Sequence, residues 1–331
     1  MYNKLHFKGC DFLKIVVLDS YALNPGDLSW EWLLELGECH IHHRTPQDKI
    51  LERCEGADII LTNKTPLAKE TLSKLPNLKY IALLSTGYNI VDWEYAKEIG
   101  VPVSNIPSYS TNAVAQLTFS LILEITNAVG LHSESVKTGE WSSCPDFCYW
   151  KTPLTELSGK TLGIVGFGQI GQAVADIAEA FKMNVQAVSG HETDQSHRKN
   201  FKWVDMETLA KTSDIISFHC PLTEKTIGLV NKEFIDKCKD SAIIINTSRG
   251  PVVNDKDLAD ALNCGKLSGA GLDVLTVEPP KADNPLLTAK NCFITPHIAW
   301  AGFETRERLM NILKENILAY LDGKPQNVVN K

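Results

Sequence analysis

Read along the chain, short apolar runs alternate with amphipathic stretches from residue 14 to residue 104. The runs at 14–19, 41–43, 58–62, 79–84 and 101–104 predict strands. The stretch 47–54, entered after Pro46, and the stretch 92–99, closed by Gly100, predict helices. Strand and helix in alternation predict a parallel sheet covered on both faces.

The pattern breaks at Asn105-Ile106-Pro107-Ser108, where a proline-bearing loop leads into a long apolar periodicity over 110–136 that predicts one helix crossing between domains. Residues 141–153, rich in aromatics with two cysteines and two prolines, have no period and predict an irregular arm. A second alternating block follows, with strands expected at 161–165, 185–188, 214–220, 242–246, 269–274 and 292–295. A last helix is expected at 303–321, where Leu309, Ile312, Leu313 and Ile317 recur at helical spacing before Gly323. The fold class expected is therefore α/β, with two doubly wound parallel-sheet domains and a cleft between them. The final helix returns to the first domain, giving a discontinuous unit of 1–106 plus 299–331 and a second unit of 107–298. No short repeat or low-complexity tract interrupts this plan.

Composition narrows the function classes. The 331 residues carry a formal charge of −7, with 44% hydrophobic and 22% charged residues, and the basic side chains are scattered rather than gathered into a stripe. Nucleic acid is not an expected partner. Nine cysteines, an odd number with no C-x-x-C pair, fit a reducing compartment. Residues 1–11 are polar and Ile15-Val16-Val17-Leu18 is far too short for a signal h-region or a membrane span, so the expected location is cytoplasmic and no membrane partner is expected.

One segment carries specific chemistry. Gly166-Phe167-Gly168-Gln169-Ile170-Gly171 places G-x-G-x-x-G directly after an apolar strand and directly before a helical pattern. In that context Gly166 allows the tight turn, Gly168 lets backbone approach a pyrophosphate, and Gly171 lets helix pack closely on strand. The N–H groups at Gln169 and Ile170 open the helix toward an anion. This is the fingerprint of a Rossmann-like dinucleotide domain. About 20 residues on, where an acidic residue would hold the ribose hydroxyls, the chain reads Val188-Ser189-Gly190-His191. Ser189 can hydrogen-bond a ribose hydroxyl without repelling a 2′-phosphate, and His191, Arg198 or Lys199 could supply a cation. The cofactor is thus NAD or NADP, with the choice open.

Three further residues fall on loops after strands of the second block, where open α/β sheets bind ligands: Arg249, Glu278 and His297. Reduction of a ketone by hydride leaves an alkoxide, so the site needs an acid, a group to orient it, and a cation on the carbonyl. Histidine is the natural acid/base near neutral pH, a carboxylate on its second nitrogen would orient it, and arginine can grip a carboxylate in a bidentate fork.

These segments together resemble the D-isomer-specific 2-hydroxyacid dehydrogenases, and within them the glycerate dehydrogenase and hydroxypyruvate reductase branch. The likeness runs over nearly the whole chain. It rests on Ser85-Thr86-Gly87-Tyr88-Asn89-Ile90-Val91-Asp92, Pro107-Ser108-Tyr109-Ser110-Thr111, Gly166 to Gly171, Thr247-Ser248-Arg249-Gly250, Asp273 to Pro279, and Thr295-Pro296-His297-Ile298-Ala299-Trp300. The resemblance implies that His297 is the acid/base, Glu278 its partner and Arg249 the orienter of substrate carboxylate and carbonyl. It implies that backbone N–H groups at Thr86 and Gly87 take the substrate carboxylate. On the cofactor side it implies Thr247, a loop at Cys220-Pro221, and Asp273 on the nicotinamide carboxamide. It also implies a homodimer formed through the cofactor domain and its aromatic arm. Hydroxypyruvate or glyoxylate, reduced to D-glycerate or glycolate, is the expected substrate pair. The alternatives are another 2-hydroxyacid, such as lactate or phosphoglycerate, and a non-catalytic dinucleotide-binding protein like the corepressors that share this fold.

Cys39-His40-Ile41-His42-His43 would set His40 and His42 on one strand face, yet no further ligands are spaced to join them, and no metal is expected.

Overall fold

The computed structural model describes residues 13–331, so the polar start at 1–11 lies outside the described residues. The chain divides into two compact units. One comprises the residues up to Tyr109 with Ala301–Lys331, and the other is Ser110–Trp300.

In the first unit, five parallel strands, β1 (Leu13–Val17), β2 (Gly37–Ile41), β3 (Ile59–Thr62), β4 (Tyr80–Leu83) and β5 (Val103–Ser104), lie in the order β2-β1-β3-β4-β5. β3 and β4 are buried along their whole length, as expected of central strands covered on both faces. The strand expected at 41–43 instead runs Gly37–Ile41. It is an edge strand whose exposed Glu38 and His40 break the apolar signal, and Gly37 sits where a Cβ would lie 2.2 Å from the Leu13 carbonyl oxygen. His40 bonds Glu38 at 2.9 Å and His42 lies past the strand end. Among the described residues no cluster of metal-ligating side chains is present.

The Phe303–Leu321 helix completes this unit, burying Leu309, Leu313 and Ile317 and stacking Tyr320 on Tyr80 with ring centroids 4.2 Å apart. Behind it, Val329 N–H donates to the Val103 carbonyl and Val103 N–H to Asn330 Oδ1, so the last residues zip onto β5. Arg306 grips Asp27 through two bonds of 2.7 and 2.6 Å.

The second unit holds seven parallel strands: β6 (Thr161–Val165), β7 (Asn184–Val188), β8 (Phe201–Trp203), β9 (Ile215–Phe218), β10 (Ala242–Asn246), β11 (Leu267–Leu272) and β12 (Cys292–Ile294). Their order is β12-β11-β10-β9-β6-β7-β8. β8 is a second edge strand without an expected counterpart; it is held by Phe167, Phe201 and Trp203, whose rings pack at 4.9 to 5.2 Å.

The single helix expected over 110–136 is two, Thr111–Asn127 and Val129–Lys137, bent by 56° at Ala128, which takes the left-handed conformation at φ 47°. Among the described residues no single helix is long and apolar enough to cross a membrane. The apolar face of the first segment is spent on the sheet: β11 carries Gly269 and Gly271 where a Cβ would press on Ile125 and Leu121. Residues 141–153 form no helix or strand and leave Phe147 and Trp150 exposed. None of the described cysteines is in a disulfide.

Candidate active site

The glycine-rich turn sits between β6 and the Gln169–Ala180 helix. Gly166 adopts φ +92°, and a Cβ there would meet the Cys220 nitrogen at 2.6 Å. A Cβ on Gly171 would meet the Gly166 carbonyl oxygen at 2.3 Å. Space beside Gly168 is open. Four other helices start on a capping side chain, Asp92, Asp205, Asn231 or Asn254, whereas this one starts on Gly168 with none. The first-turn N–H groups at Gln169, Ile170 and Gly171 are therefore left for an anion, which is what a pyrophosphate requires. The residues fit a dinucleotide.

Around that turn, Ser189 Oγ accepts from His191 N–H at 3.3 Å. Arg198 is not available for a ribose phosphate: its guanidinium is buried and bonded to Asp176 at 2.6 Å, to Gln195 and to the Gln172 carbonyl. His191 and Lys199 remain exposed. Cys220 is buried, which pushes its thiol up from the ordinary range, and the Pro221 carbonyl is bonded by the Thr226 hydroxyl. Next to Cys220, His219 is neutral, its burial pulling it down to about 3. Thr247 spends its hydroxyl on Thr118 at 3.1 Å.

β10, β11 and β12 are adjacent and parallel, so their following loops leave one edge of the sheet together. Glu278 and His297, on the second and third of these loops, meet at 2.6 Å through Oε2 and Nδ1. The other carboxylate oxygen of Glu278 accepts from Leu275 N–H at 3.1 Å, which fixes the carboxylate. His297 holds φ 55°, an uncommon backbone for a residue with a Cβ, and its N–H donates to the Asp273 carbonyl at 2.8 Å.

What maintains that backbone is the Asp273 side chain, 1% exposed. Its Oδ1 accepts from the Thr295 hydroxyl at 2.6 Å and from Ile298 N–H at 2.8 Å, and its Oδ2 from Ala299 N–H at 2.9 Å. Burial raises the carboxyl from its ordinary value, and these three donors oppose the rise. Asp273 thus clamps both sides of His297, leaving its Nε2 without a hydrogen bond among the described residues.

Arg249 is exposed on the first loop, where its Nη1 donates to the Ser248 carbonyl at 2.7 Å. Its neighbour Gly250 packs so closely that a Cβ would lie 1.8 Å from the Leu275 carbonyl oxygen, pinning the arginine loop against the glutamate loop. In the first unit, Thr86 and Gly87 follow β4. The Thr86 hydroxyl donates to the Ile106 carbonyl and the Gly87 carbonyl accepts from Ser85, while neither backbone N–H has a partner among the described residues.

Residues 119–299 match the D-isomer-specific 2-hydroxyacid dehydrogenase NAD-binding domain. A hydroxypyruvate reductase of Blautia hydrogenotrophica is 51% identical over 96% of this chain and 100% of its own length. The chain belongs to the D-isomer-specific 2-hydroxyacid dehydrogenase family. A glycerate dehydrogenase of Methylorubrum extorquens is 41% identical to this dehydrogenase over 96% of the chain and 98% of the relative. A solved Thermus thermophilus protein is 35% identical, superposes with a TM-score of 0.84, and covers 96% of the dehydrogenase and 100% of the solved chain.

The glycine turn and the Glu278–His297 pairing were readable from strand context and chemistry. The Asp273 clamp was not, because its donors lie 22 to 26 positions along the chain, on the loop after a different strand.

Proposed function

We propose that this dehydrogenase reduces hydroxypyruvate and glyoxylate to D-glycerate and glycolate, and runs the reverse reaction, with NADH or NADPH. The observation that carries the reading is the His297–Glu278 contact of 2.6 Å in a chain with a dinucleotide turn. The names of the two relatives support the substrate class.

When bound, the nicotinamide supplies the hydride for the keto carbon. His297 gives its Nε2 proton to the oxygen that becomes the hydroxyl, and takes that proton back in the oxidising direction. Glu278 holds the imidazole by Nδ1–H, so the ring cannot turn and the proton-carrying nitrogen stays fixed. Arg249, unpaired with any carboxylate among the described residues, is the cation for the substrate carboxylate and for the carbonyl that gains charge. The unpartnered N–H groups of Thr86 and Gly87 are further donors for a carboxylate. Asp273 acts as a positioning residue, and its free acceptor capacity at Oδ2 suits the nicotinamide amide. Ser189 serves the adenosine ribose, with Thr247, Cys220 and Pro221 lining the cofactor side. The unit 110–300 is accordingly the cofactor domain and the unit containing Thr86 the substrate domain.

The exposed rings of Trp141, Phe147 and Trp150 favour a homodimer, since isolated apolar surface of that size is costly in water. The odd cysteine number and the absence of disulfides among the described residues favour a cytoplasmic location.

Initial rates with hydroxypyruvate, glyoxylate and pyruvate, each with NADH and NADPH, test the assignment. A larger kcat/KM for pyruvate than for the other two acids would overturn the substrate, and no turnover with any keto acid would overturn the enzyme.

A further inference from the structure

β10 is apolar until its last residue, Asn246, and that residue is fully buried. An amide buried at a strand end is costly unless its oxygen and its nitrogen both find partners. Here the partners are the two residues that follow Thr247. Asn246 Oδ1 accepts from Ser248 N–H at 3.0 Å and from the Ser248 hydroxyl at 2.9 Å, and Nδ2 donates to the Arg249 carbonyl at 2.8 Å. The first of these bonds is an Asx turn, in which the side chain stands in for a backbone acceptor. Together they fold 246–249 around the amide. Its two ends are not interchangeable, because donors face one and a carbonyl faces the other.

Asn246 also reaches the proton-transfer side of the site. Its backbone carbonyl accepts from Asp273 N–H at 3.0 Å, and the Asp273 carbonyl accepts from His297 N–H at 2.8 Å. Three bonds in series thus lead from the Arg249 carbonyl to the His297 backbone, through Asn246 and Asp273 at the ends of adjacent strands. Arg249 has no ion pair among the described residues to hold its exposed side chain, so its place is set by the loop beneath it.

The geometry points to Asn246 as a positioning residue for the reaction, one that sets where the Arg249 guanidinium stands relative to the His297 imidazole. This role presupposes Arg249 as the cation for the substrate carboxylate. A 2-keto acid carries its carboxylate and its carbonyl on adjacent carbons, so the cation and the acid that address them must keep a fixed separation. A misplacement of about 1 Å is enough to cost a large part of the rate.

The test measures the binding of oxamate, an unreactive analogue with the same carboxylate and carbonyl, to protein saturated with reduced dinucleotide. It compares wild type, Asn246→Ala, Arg249→Lys and the double variant. Asn246→Ala should weaken oxamate and raise KM for hydroxypyruvate by about tenfold, with dinucleotide affinity within about twofold of wild type. In the Arg249→Lys background the same substitution should cost less than about threefold, since a residue that acts through Arg249 then has little left to move. Asn246→Asp keeps the shape and the acceptor for Ser248 and loses the donor to Arg249. It should show the same dependence on background, and it carries the test if the alanine variant does not fold. Equal losses in both backgrounds, a fall in dinucleotide affinity as large as that for oxamate, or wild-type oxamate affinity in a folded variant would each overturn the positioning role. Oxamate affinity unchanged by Arg249→Lys would instead bring down the assignment of Arg249, and the role of Asn246 with it.

Discussion

Replacing Asp273 by alanine should unfasten the loop that carries His297. The substitution orphans three donors, Thr295 Oγ1, Ile298 N–H and Ala299 N–H. A buried donor left unsatisfied costs about 1–3 kcal/mol. Ala299 is buried and bears the full cost, whereas Ile298 is 44% exposed and its N–H can find water. With the Thr295 hydroxyl the total is then about 2–6 kcal/mol, which for a unit of this size lowers the melting temperature by roughly 5–20 °C. His297, released from φ 55°, should relax toward ordinary backbone, and kcat should fall far more than dinucleotide affinity. Urea unfolding, fitted for midpoint and slope, and steady-state rates on hydroxypyruvate measure the two effects. Asp273→Asn retains one oxygen acceptor and should recover part of both. An alanine variant with wild-type midpoint and turnover would show that these three bonds do not hold the loop.

Other substitutions probe separate parts of the molecule. His297→Ala should lower kcat by about 10²–10⁴ with dinucleotide affinity preserved in a fluorescence titration. Arg249→Lys, which loses the planar fork, should raise KM for the keto acid and reduce kcat; unchanged steady-state constants would contradict it. Gly171→Ala should destabilise the fold in thermal melts, because the new methyl meets the Gly166 carbonyl, whereas Gly168→Ala should melt normally and bind dinucleotide poorly. His219 has its folded value depressed to about 3, so the unfolded chain takes up a proton first as pH falls from 6.5, and stability is lost across that interval. His219→Gln should flatten the acid limb of a stability-against-pH curve between those values.

How far the sequence could be read depended on burial. The runs at 161–165 and 242–246 match β6 and β10 residue for residue, because a strand buried on both faces is continuously apolar. β2 and β8 eluded the same reading because edge strands expose alternate residues, and Glu38 and Lys202 interrupt the pattern. The bend at Ala128 leaves no trace in composition, since alanine is the best helix former and only the backbone records its left-handed turn. Arg198 looked like a free cation and is instead an internal tie, a distinction set by Asp176 on a neighbouring helix. The Glu278–His297 pair could be anticipated because the chemistry demanded it; the backbone of His297 could not.

Stretches before residue 110 and after residue 300 share one unit, and this sets a schedule for biosynthesis. Beyond its pairing with β4, strand β5 is bonded by Val329 and Asn330, and Tyr80 gains its stacking partner only with Tyr320. A ribosome will have released the whole of 110–300 before those partners exist, so the sheet of the first unit must wait, unfinished, until the segment around residues 320–330 has emerged.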